Sequence, residues 1–336
     1  MKIIVPMAGM GKRMRPHTLT VPKPLIPIAG KPIVQRLVED IAKVVGQQVE
    51  EVAFIVGRFG AEVEQSLIKI AESVGAKGTI VYQDEPLGTA HAILCAKDSL
   101  SGPLVVAFAD TLFKADFTLD TSADGTIWVQ RVEDPRPFGV VKLDEQGRIT
   151  ELIEKPQEFV SDLAIIGIYY FKDGEYLKRE LQYLLDNDIK DKGEYQLTNA
   201  LENMKNQGAV FIPGPVTEWL DCGNKDATVF TNQRYLEYLK EAGEDTVSKT
   251  ATLQNTVIIQ PVYIGENVVL ENSIIGPHVS VGDGSVVRHS VVVNSILQKS
   301  ATVQNANIQN SMVGSHASLT GTPADLSVGD YNALKL

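Results

Sequence analysis

Residues 1–16, MKIIVPMAGMGKRMRP, run from a short apolar segment directly into a loop that contains two glycines and several cations. More apolar runs of strand length follow, separated by segments whose apolar residues recur at three- and four-residue spacing. The runs are IIVPM at 3–7, VAFIV at 52–56, TIVYQ at 79–83 and LVVAF at 104–108, and the helices are predicted over 32–45, 61–73 and 89–97. This alternation is typical of a doubly wound α/β domain with a mostly parallel sheet.

A different pattern begins after about residue 248, where helical spacing disappears. Within residues 255–297, NTVIIQPVYIGENVVLENSIIGPHVSVGDGSVVRHSVVVNSIL, apolar side chains recur every six residues, with one step of five. They are Ile258, Ile264, Leu270, Ile275, Val281, Val287 and Val293. A six-residue period predicts a short strand and a corner in each repeat, stacked as a parallel β-helix. We therefore predict an α/β domain over 1–234, a helical linker over 235–248, the β-helix over 249–320 and a tail over 321–336.

The composition narrows the classes of ligand. The chain has 336 residues and a formal net charge of -11, which argues against a nucleic-acid-binding surface. No apolar run has the length of a membrane span, and the first one is interrupted too early for a signal peptide, so a cytoplasmic protein is expected. Cys95 and Cys222 lack metal-ligand spacing, and neither a disulfide framework nor a zinc site is predicted.

Two loops near the N-terminus are candidates for binding phosphate. In residues 8–13, AGMGKR, the glycines let backbone N–H groups approach an anion, although such a turn also occurs as a simple tight connection. In Pro22-Lys23-Pro24 the prolines restrict the backbone around one lysine, which suits the presentation of its charge to a phosphate. An ordinary proline-rich loop with a solvated lysine is the alternative for the second segment.

Together these loops resemble the opening of the sugar-1-phosphate nucleotidyltransferase family. The matching residues are Gly9, Gly11, Arg13, Pro16, Thr18 and Pro22-Lys23-Pro24. Further family motifs follow in order: YQDEPLGTAHA at 82–92, FADT at 108–111, FGVV at 138–141, EKP at 154–156, GIYYF at 167–171, GEYQLTNAL at 193–201 and WLDCGNK at 219–225. The resemblance covers roughly the first 240 residues, and many members also carry six-residue repeats. It implies a Rossmann-like nucleotidyltransferase fold followed by a left-handed β-helix.

The resemblance also implies an activity, which is transfer of a nucleotidyl group from a nucleoside triphosphate to a sugar 1-phosphate with release of pyrophosphate. It implies catalytic roles for Arg13, Lys23, Asp110 and Asp221, with the two aspartates holding Mg²⁺. The nucleotide-binding residues would be Ala8, Gly9, Met10, Gly11, Lys12, Arg13, Gln83 and Gly88, and the sugar-phosphate-binding residues Gly139, Glu154 and Lys155. Two of these have independent support. Asp110 follows an apolar strand, and the Gln83 amide has both a donor and an acceptor for uracil or thymine.

The substrates are predicted from short sequence motifs. HAILCAK at 91–97, LAIIG at 163–167 and DCGNK at 221–225 resemble glucose-1-phosphate uridylyltransferases, so UTP and glucose 1-phosphate are the first choice. The alternative nucleotide is dTTP, because one methyl group is a small difference for a pocket to detect. The chain departs from the family at Lys12, usually threonine, and at Ile166, where many members have a hydrogen-bonding side chain for the sugar.

Two other functions fit parts of the pattern. One is a non-catalytic regulatory subunit that binds a sugar nucleotide, although the retained cations and aspartates favour an enzyme. The other is a bifunctional enzyme whose β-helix is an acyltransferase, with His278, His289 or His316 as the base, but Gly276-Pro277-His278 is typical of a corner turn. Because parallel coils often associate, a homo-oligomer is expected.

Overall fold

The computed structural model describes residues 1–115, 119–322 and 324–335. Internal packing divides the chain into two units. The first contains Met1–Ile26 and Lys31–Asn224, and the second contains Pro27–Gly30 and Lys225–Leu336. The division therefore falls ahead of the predicted domain end at residue 234, and the predicted linker 235–248 overlaps the last helix, Lys225–Glu241.

The helices of the described residues are α1 (Ile33–Val45), α2 (Ala61–Ser73), α3 (Thr89–Cys95), α4 (Gly174–Asp186), α5 (Leu197–Asn206) and α6 (Lys225–Glu241). The strands that precede α6 are β1 (Lys2–Pro6), β2 (Pro27–Ile28), β3 (Lys31–Pro32), β4 (Glu51–Val56), β5 (Lys77–Tyr82), β6 (Leu104–Ala107), β7 (Thr111–Lys114), β8 (Gly125–Arg131), β9 (Gly139–Leu143), β10 (Ile149–Glu154), β11 (Leu163–Phe171), β12 (Phe211–Pro215) and β13 (Glu218–Asp221). The four strands and three helices predicted from periodicity are confirmed, with ends shifted by at most two residues.

A mixed sheet forms the centre of the first unit. Its order is β10-β9-β11-β6-β1-β4-β5, and β8 pairs with both β11 and β12. Strands β6, β1, β4 and β5 are parallel, as predicted, whereas β11 runs antiparallel to β6. β1, β4 and β6 are almost entirely buried, which explains why their sequences are continuous apolar runs. The carboxyl ends of the parallel strands meet at one edge, where such sheets bind ligands.

A small antiparallel pair brings a distant segment to the same region. Strand β13 pairs with β7, and Asp221 lies opposite Thr111 in the register. The Cys222 N–H donates to the Asp110 carbonyl oxygen at 2.9 Å. The two aspartates predicted to share a metal ion therefore belong to neighbouring backbone segments.

The second unit contains the predicted β-helix. Its strands are β14 (Thr252–Gln254), β15 (Val257–Ile258), β16 (Val262–Ile264), β17 (Val269–Glu271), β18 (Ile274–Ile275), β19 (Val279–Val281), β20 (Val286–Arg288), β21 (Val291–Val293), β22 (Ser295–Leu297), β23 (Thr302–Gln304), β24 (Asn307–Gln309), β25 (Met312–Val313) and β26 (Ser318–Thr320). They form three parallel sheets, each joining every third strand, which is consistent with a left-handed hexapeptide β-helix. The prediction that Val293 is an inward apolar residue of the repeat was wrong. Val292, which pairs with Ile275, is fully buried and Val293 is not, so the step from Val287 to the next inward residue is five residues.

Two further features belong to the second unit. Asn232 of α6 is fully buried, and its Oδ1 accepts from the Ala29 N–H at 2.9 Å and from Ser280 Oγ at 2.7 Å. At the corners of the coil His278, His289 and His316 have positive φ, like several asparagines there, which fits turn positions. Across the described ranges, no helix has both the length and the apolar character needed to cross a membrane.

Candidate active site

A cavity of about 580 Å³ lies at the carboxyl edge of the parallel strands. It collects the residues that the sequence assigns to the nucleotide: Ala8, Gly9, Met10, Gly11, Lys12, Arg13, Gln83 and Gly88. The loop 8–13 follows β1, and Gln83 follows β5, whose partner β4 lies between them in the sheet. Residues far apart in sequence thus reach one cavity because parallel strands end at the same edge.

The shape of the phosphate-loop candidate depends on Gly11. This residue is in the left-handed region at φ 56°, and a Cβ atom there would lie 3.1 Å from Lys23 Cβ and from Thr18 Cγ2. Thr18 Oγ1 donates to the Gly11 carbonyl oxygen at 2.8 Å. Gly11 therefore allows both the backbone conformation and the close approach of the Lys23 segment. Gly9, in contrast, faces open space within 4 Å.

Gly88 performs a comparable role in the second nucleotide segment. It has φ 118° and ψ 178°, and a Cβ atom would lie 2.4 Å from the Tyr195 carbonyl oxygen. Two backbone hydrogen bonds fasten this contact, from the Tyr195 N–H to Leu87 O and from the Ala90 N–H to Tyr195 O, both at 2.9 Å. The LGTA and GEYQLTNAL motifs are therefore held against each other through backbone atoms.

A second cavity, of about 620 Å³, holds the predicted sugar-phosphate residues Gly139, Glu154 and Lys155, together with Asp221. Lys155 Nζ lies 3.4 Å from Glu154 Oε1, so the cation and the carboxylate form an ion pair. A Cβ atom at position 139 would lie 3.0 Å from Glu154 Oε2, which shows how closely the glycine approaches this carboxylate. Ile166 also lines the cavity and gives its wall an apolar part.

The two cavities adjoin, since both are lined by Arg13, Thr89, Phe108 and Asp110. At this junction Lys23 Nζ donates to Asp110 Oδ2 at 2.8 Å. A Cβ atom on Gly223 would be 3.0 Å from Asp221 Oδ1 and 3.4 Å from an Arg13 guanidinium nitrogen. The structure therefore brings together all four side chains predicted to be catalytic.

The electrostatics of the junction bear on metal binding. Burial and the neighbouring Asp110 carboxylate raise the pKa of Asp221, while the Gly223 N–H, Lys23 and Arg13 oppose the increase. Two adjacent carboxylates supply the hard oxygen ligands that divalent magnesium prefers, and a cation would relieve their repulsion. No cluster of three or more potential metal-ligating side chains is found among the described residues, so substrate oxygens and water would complete such a site.

Two polar groups in the second cavity were not assigned from the sequence. Thr198 Oγ1 and Trp219 Nε1 are buried, and neither has a hydrogen-bond partner in the described part of the chain. Both residues line the cavity, and the Trp219 ring contacts Phe138 edge-on at 4.8 Å between centroids. In the sequence, the only indication that Thr198 and Trp219 belong to the site is that they lie within the motifs at 193–201 and 219–225. Only the fold shows that these groups face the same space as Glu154.

The chain is similar over most of its length to several nucleotidyltransferases. It is 31% identical to the low-salt glycan biosynthesis nucleotidyltransferase Agl11 of Haloferax volcanii, covering 100% of each chain, and 32% identical to a glucose-1-phosphate thymidylyltransferase of Streptomyces antibioticus, covering 95% of this chain and 94% of the relative. A crystal structure of UDP-glucose pyrophosphorylase complexed with UDP-glucose superposes with a TM-score of 0.58 and 25% identity, covering 70% of this chain and 98% of that one.

The family model agrees with the placement of the motifs. It is described as nucleotidyl transferase and matches residues 2–238, which include both cavities and every candidate site residue. The matched region also includes all six described helices except the last three residues of α6. On the fold, the ordered motifs and this match, the chain belongs to the nucleotidyl transferase family.

Proposed function

We propose that this protein transfers a uridylyl or deoxythymidylyl group from UTP or dTTP to a sugar 1-phosphate, with glucose 1-phosphate as the first choice of acceptor. The products are a nucleoside diphosphate sugar and pyrophosphate. The observation that carries the proposal is the pair of adjoining cavities, one lined by the nucleotide motifs and one by the sugar-phosphate motifs, which share Arg13 and Asp110. An enzyme that joins two phosphate esters needs this arrangement.

The reaction is an in-line displacement at the α-phosphorus. An oxygen of the sugar phosphate forms the new P–O bond, the bond between the α-phosphorus and its bridging oxygen breaks, and that oxygen leaves with pyrophosphate. Both reactants are anions, so the protein must hold them together and compensate their charge. Correct placement of two bound reactants can lower the barrier by about 7–11 kcal/mol.

We assign the cations by their positions around the junction. Arg13 binds the pyrophosphate portion, and Lys23 binds the α-phosphate. Lys155, paired with Glu154 at 3.4 Å, binds the phosphate of the sugar from the second cavity. Glu154 then accepts hydrogen bonds from sugar hydroxyls. These assignments place positive charge on each of the three phosphate positions involved in the transfer.

Enzymes of this family generally use a divalent metal, and we propose Mg²⁺ held by Asp110 and Asp221. When bound, the ion would neutralise charge on the phosphate oxygens. Lys23 holds the Asp110 carboxylate at 2.8 Å, and the Gly223 N–H donates to Asp221 Oδ1 at 2.9 Å, so both carboxylates are oriented by the chain itself. This support for the ligands is typical of metal sites.

The acceptor sugar is assigned from the lining of the second cavity. Thr198 Oγ1 and Trp219 Nε1 offer donors without protein partners in the described residues, and such buried groups favour a ligand with hydroxyl acceptors. Ile166 contributes an apolar surface where a polar contact to an N-acetyl group would be needed. A hexose 1-phosphate without an N-acetyl group satisfies these groups better than an N-acetylated one.

The test is Mg²⁺-dependent release of pyrophosphate with five nucleoside triphosphates and a panel of sugar 1-phosphates. Asp110→Asn and Asp221→Asn should each abolish turnover, whereas Asp98→Asn, at an exposed position outside both cavities, should retain it. Turnover confined to UTP or dTTP would support the proposal. Absence of turnover with every pair, despite measurable UTP binding, would support a non-catalytic regulatory subunit instead.

We also propose a homo-oligomer formed through one sheet of the β-helix. On this sheet Val257 is 56% exposed and Ile274 is 40% exposed, and the outward positions that continue the row are Val291 and Asn307. The row carries no charge, so two copies can meet there despite a net charge of -11 on each chain. We also propose a cytoplasmic location, where the thiols of Cys95 and Cys222 would stay reduced.

Light scattering tests the assembly. Val257→Glu should convert the oligomer to a smaller species, because it buries a charge in an apolar contact. Thr252→Glu, which changes an exposed side chain on the outward face of a different sheet, is the matched control. A monomeric mass for the unaltered protein at micromolar concentration would refute this proposal.

A further inference from the structure

The side-chain amide of Gln83 has both of its hydrogens engaged within the protein. Its Nε2 lies 3.3 Å from the Gly88 carbonyl oxygen and 3.1 Å from His91 Nδ1. A carbonyl oxygen can only accept a hydrogen bond, so the amide nitrogen, and not the amide oxygen, must face Gly88. The NH₂ group has two hydrogens, and these two acceptors use both of them.

This arrangement also fixes the tautomer of His91. Since the Gln83 amide donates to Nδ1, that nitrogen must carry a lone pair, and the ring proton resides on Nε2. His91 Nε2 lies 3.9 Å from Cys95 Sγ, a weak acceptor one turn further along α3. A chain of contacts therefore runs from Cys95 through His91 and Gln83 to the Gly88 backbone.

The amide oxygen of Gln83, Oε1, is the atom that remains available to a ligand. Gln83 lines the first cavity, and within the described ranges its Oε1 receives no hydrogen bond. The sequence alone suggested that this amide offers a donor and an acceptor to the base. In the folded chain its donors are used, and Gln83 can offer the base an acceptor only.

We propose that His91 is a positioning residue that holds the Gln83 amide as an acceptor, so that the site selects bases with a hydrogen on ring atom N3. Uracil and thymine have this N3–H, whereas N3 of cytosine is itself an acceptor. The inference rests on the proposed function in one respect, namely that the first cavity holds the base. Removal of His91 leaves only the longer 3.3 Å contact with Gly88 O to hold the amide, so the amide can rotate more readily and present its nitrogen toward N3.

Two variants separate positioning from packing. His91→Leu has similar bulk and no acceptor, whereas His91→Asn has an amide oxygen close to the position of Nδ1. The dissociation constants of UTP and CTP are measured by titration calorimetry without sugar phosphate, and kcat/KM is measured for both nucleotides. We expect the UTP-to-CTP preference to fall roughly 10-fold or more in His91→Leu, as for loss of a buried hydrogen bond, and to recover in His91→Asn.

Several outcomes would overturn the inference. Equal weakening of UTP and CTP in His91→Leu would mean that His91 only packs, and an unaltered protein that does not prefer UTP over CTP would remove the effect to be explained. If His91→Leu fails to fold, long-range ¹H–¹⁵N correlation on the unaltered protein decides, because a proton on Nδ1 contradicts the required tautomer. UTP preference without turnover would refute the proposed function and leave this inference standing, since the dissociation constants from calorimetry do not depend on turnover.

Discussion

Replacing Gly88 by alanine should lower the free energy of unfolding and weaken nucleotide binding. At φ 118° and ψ 178° the residue occupies a region that is essentially restricted to glycine, and an alanine there costs about 1–3 kcal/mol. The added Cβ atom would also lie 2.4 Å from Tyr195 O and 2.7 Å from Tyr195 N. The neighbour is backbone, so the Tyr195 segment has to move.

That movement threatens two hydrogen bonds of 2.9 Å, from the Tyr195 N–H to Leu87 O and from the Ala90 N–H to Tyr195 O. At about 0.5–1.5 kcal/mol each, their loss adds about 1–3 kcal/mol, for a total of about 2–6 kcal/mol. Gly60 is the matched control because it has a similar backbone conformation, φ 95° and ψ 161°, with no atom within 4 Å of a new Cβ. Gly60→Ala should show the conformational cost alone.

The free energy of unfolding is measured in urea by tryptophan fluorescence. The chain has two tryptophans, Trp128 and Trp219, and both belong to the first unit, which contains Gly88 and Gly60. Calorimetry with UTP gives the second readout, in which only Gly88→Ala should weaken binding, by about 10-fold or more, because the base-binding segment is displaced. Equal destabilisation by the two substitutions would contradict a steric conflict between residue 88 and Tyr195, and unchanged UTP affinity in Gly88→Ala would contradict a role of this contact in nucleotide binding.

Three other predictions concern the junction and the cavities. Gly139→Ala places a Cβ atom 3.0 Å from Glu154 Oε2 and should raise KM for the sugar 1-phosphate roughly 10-fold in steady-state assays, with KM for the nucleotide unchanged. Burial and the Asp110 carboxylate raise the pKa of Asp221, so the folded state loses stability as pH rises through that pKa. Asp221→Asn should therefore raise the free energy of unfolding of the metal-free protein at pH 7, measured in urea, and this gain should shrink toward acid pH. No gain at pH 7 would contradict this electrostatic explanation. Lys12→Thr removes an exposed cation from the nucleotide cavity and should weaken UTP binding about 2- to 5-fold at low salt in calorimetry, with the difference lost at high salt; a salt-independent effect would argue against a charge interaction.

Local periodicity was sufficient for much of the fold. Buried strands such as β1 and β4 are continuous apolar runs, and α2 begins and ends at the predicted residues because its spacing depends only on near neighbours in the chain. The six-residue period likewise predicted the β-helix, in which each repeat stacks on the next. Ordered motifs then predicted residues that line the cavities, since the loop 8–13 follows β1 and FADT follows β6, and these parallel strands end at the same sheet edge.

Tertiary structure decided the features that depend on long-range contacts. The boundary falls at Lys225 because the whole of α6 clusters with the β-helix, which the charge and helix propensity of residues 235–248 did not reveal. The inward residue in β21 is Val292, since the pairing with Ile275 sets the register of the coil. Neither contact leaves a periodic signal in its own segment.

The site shows the same division between chemistry and geometry. The sequence determined which carboxylates, cations and amides are available, because these are properties of the residue types and their motifs. Only the fold joined β13 to β7 and so brought Asp221 beside Asp110. Only the fold placed Gly88 O and His91 Nδ1 against the Gln83 amide nitrogen. These two contacts decide that the amide oxygen, and not the nitrogen, is available to a ligand. Hydrogen bonding depends on which atoms meet within about 3 Å, and chain topology, not residue order, decides that meeting.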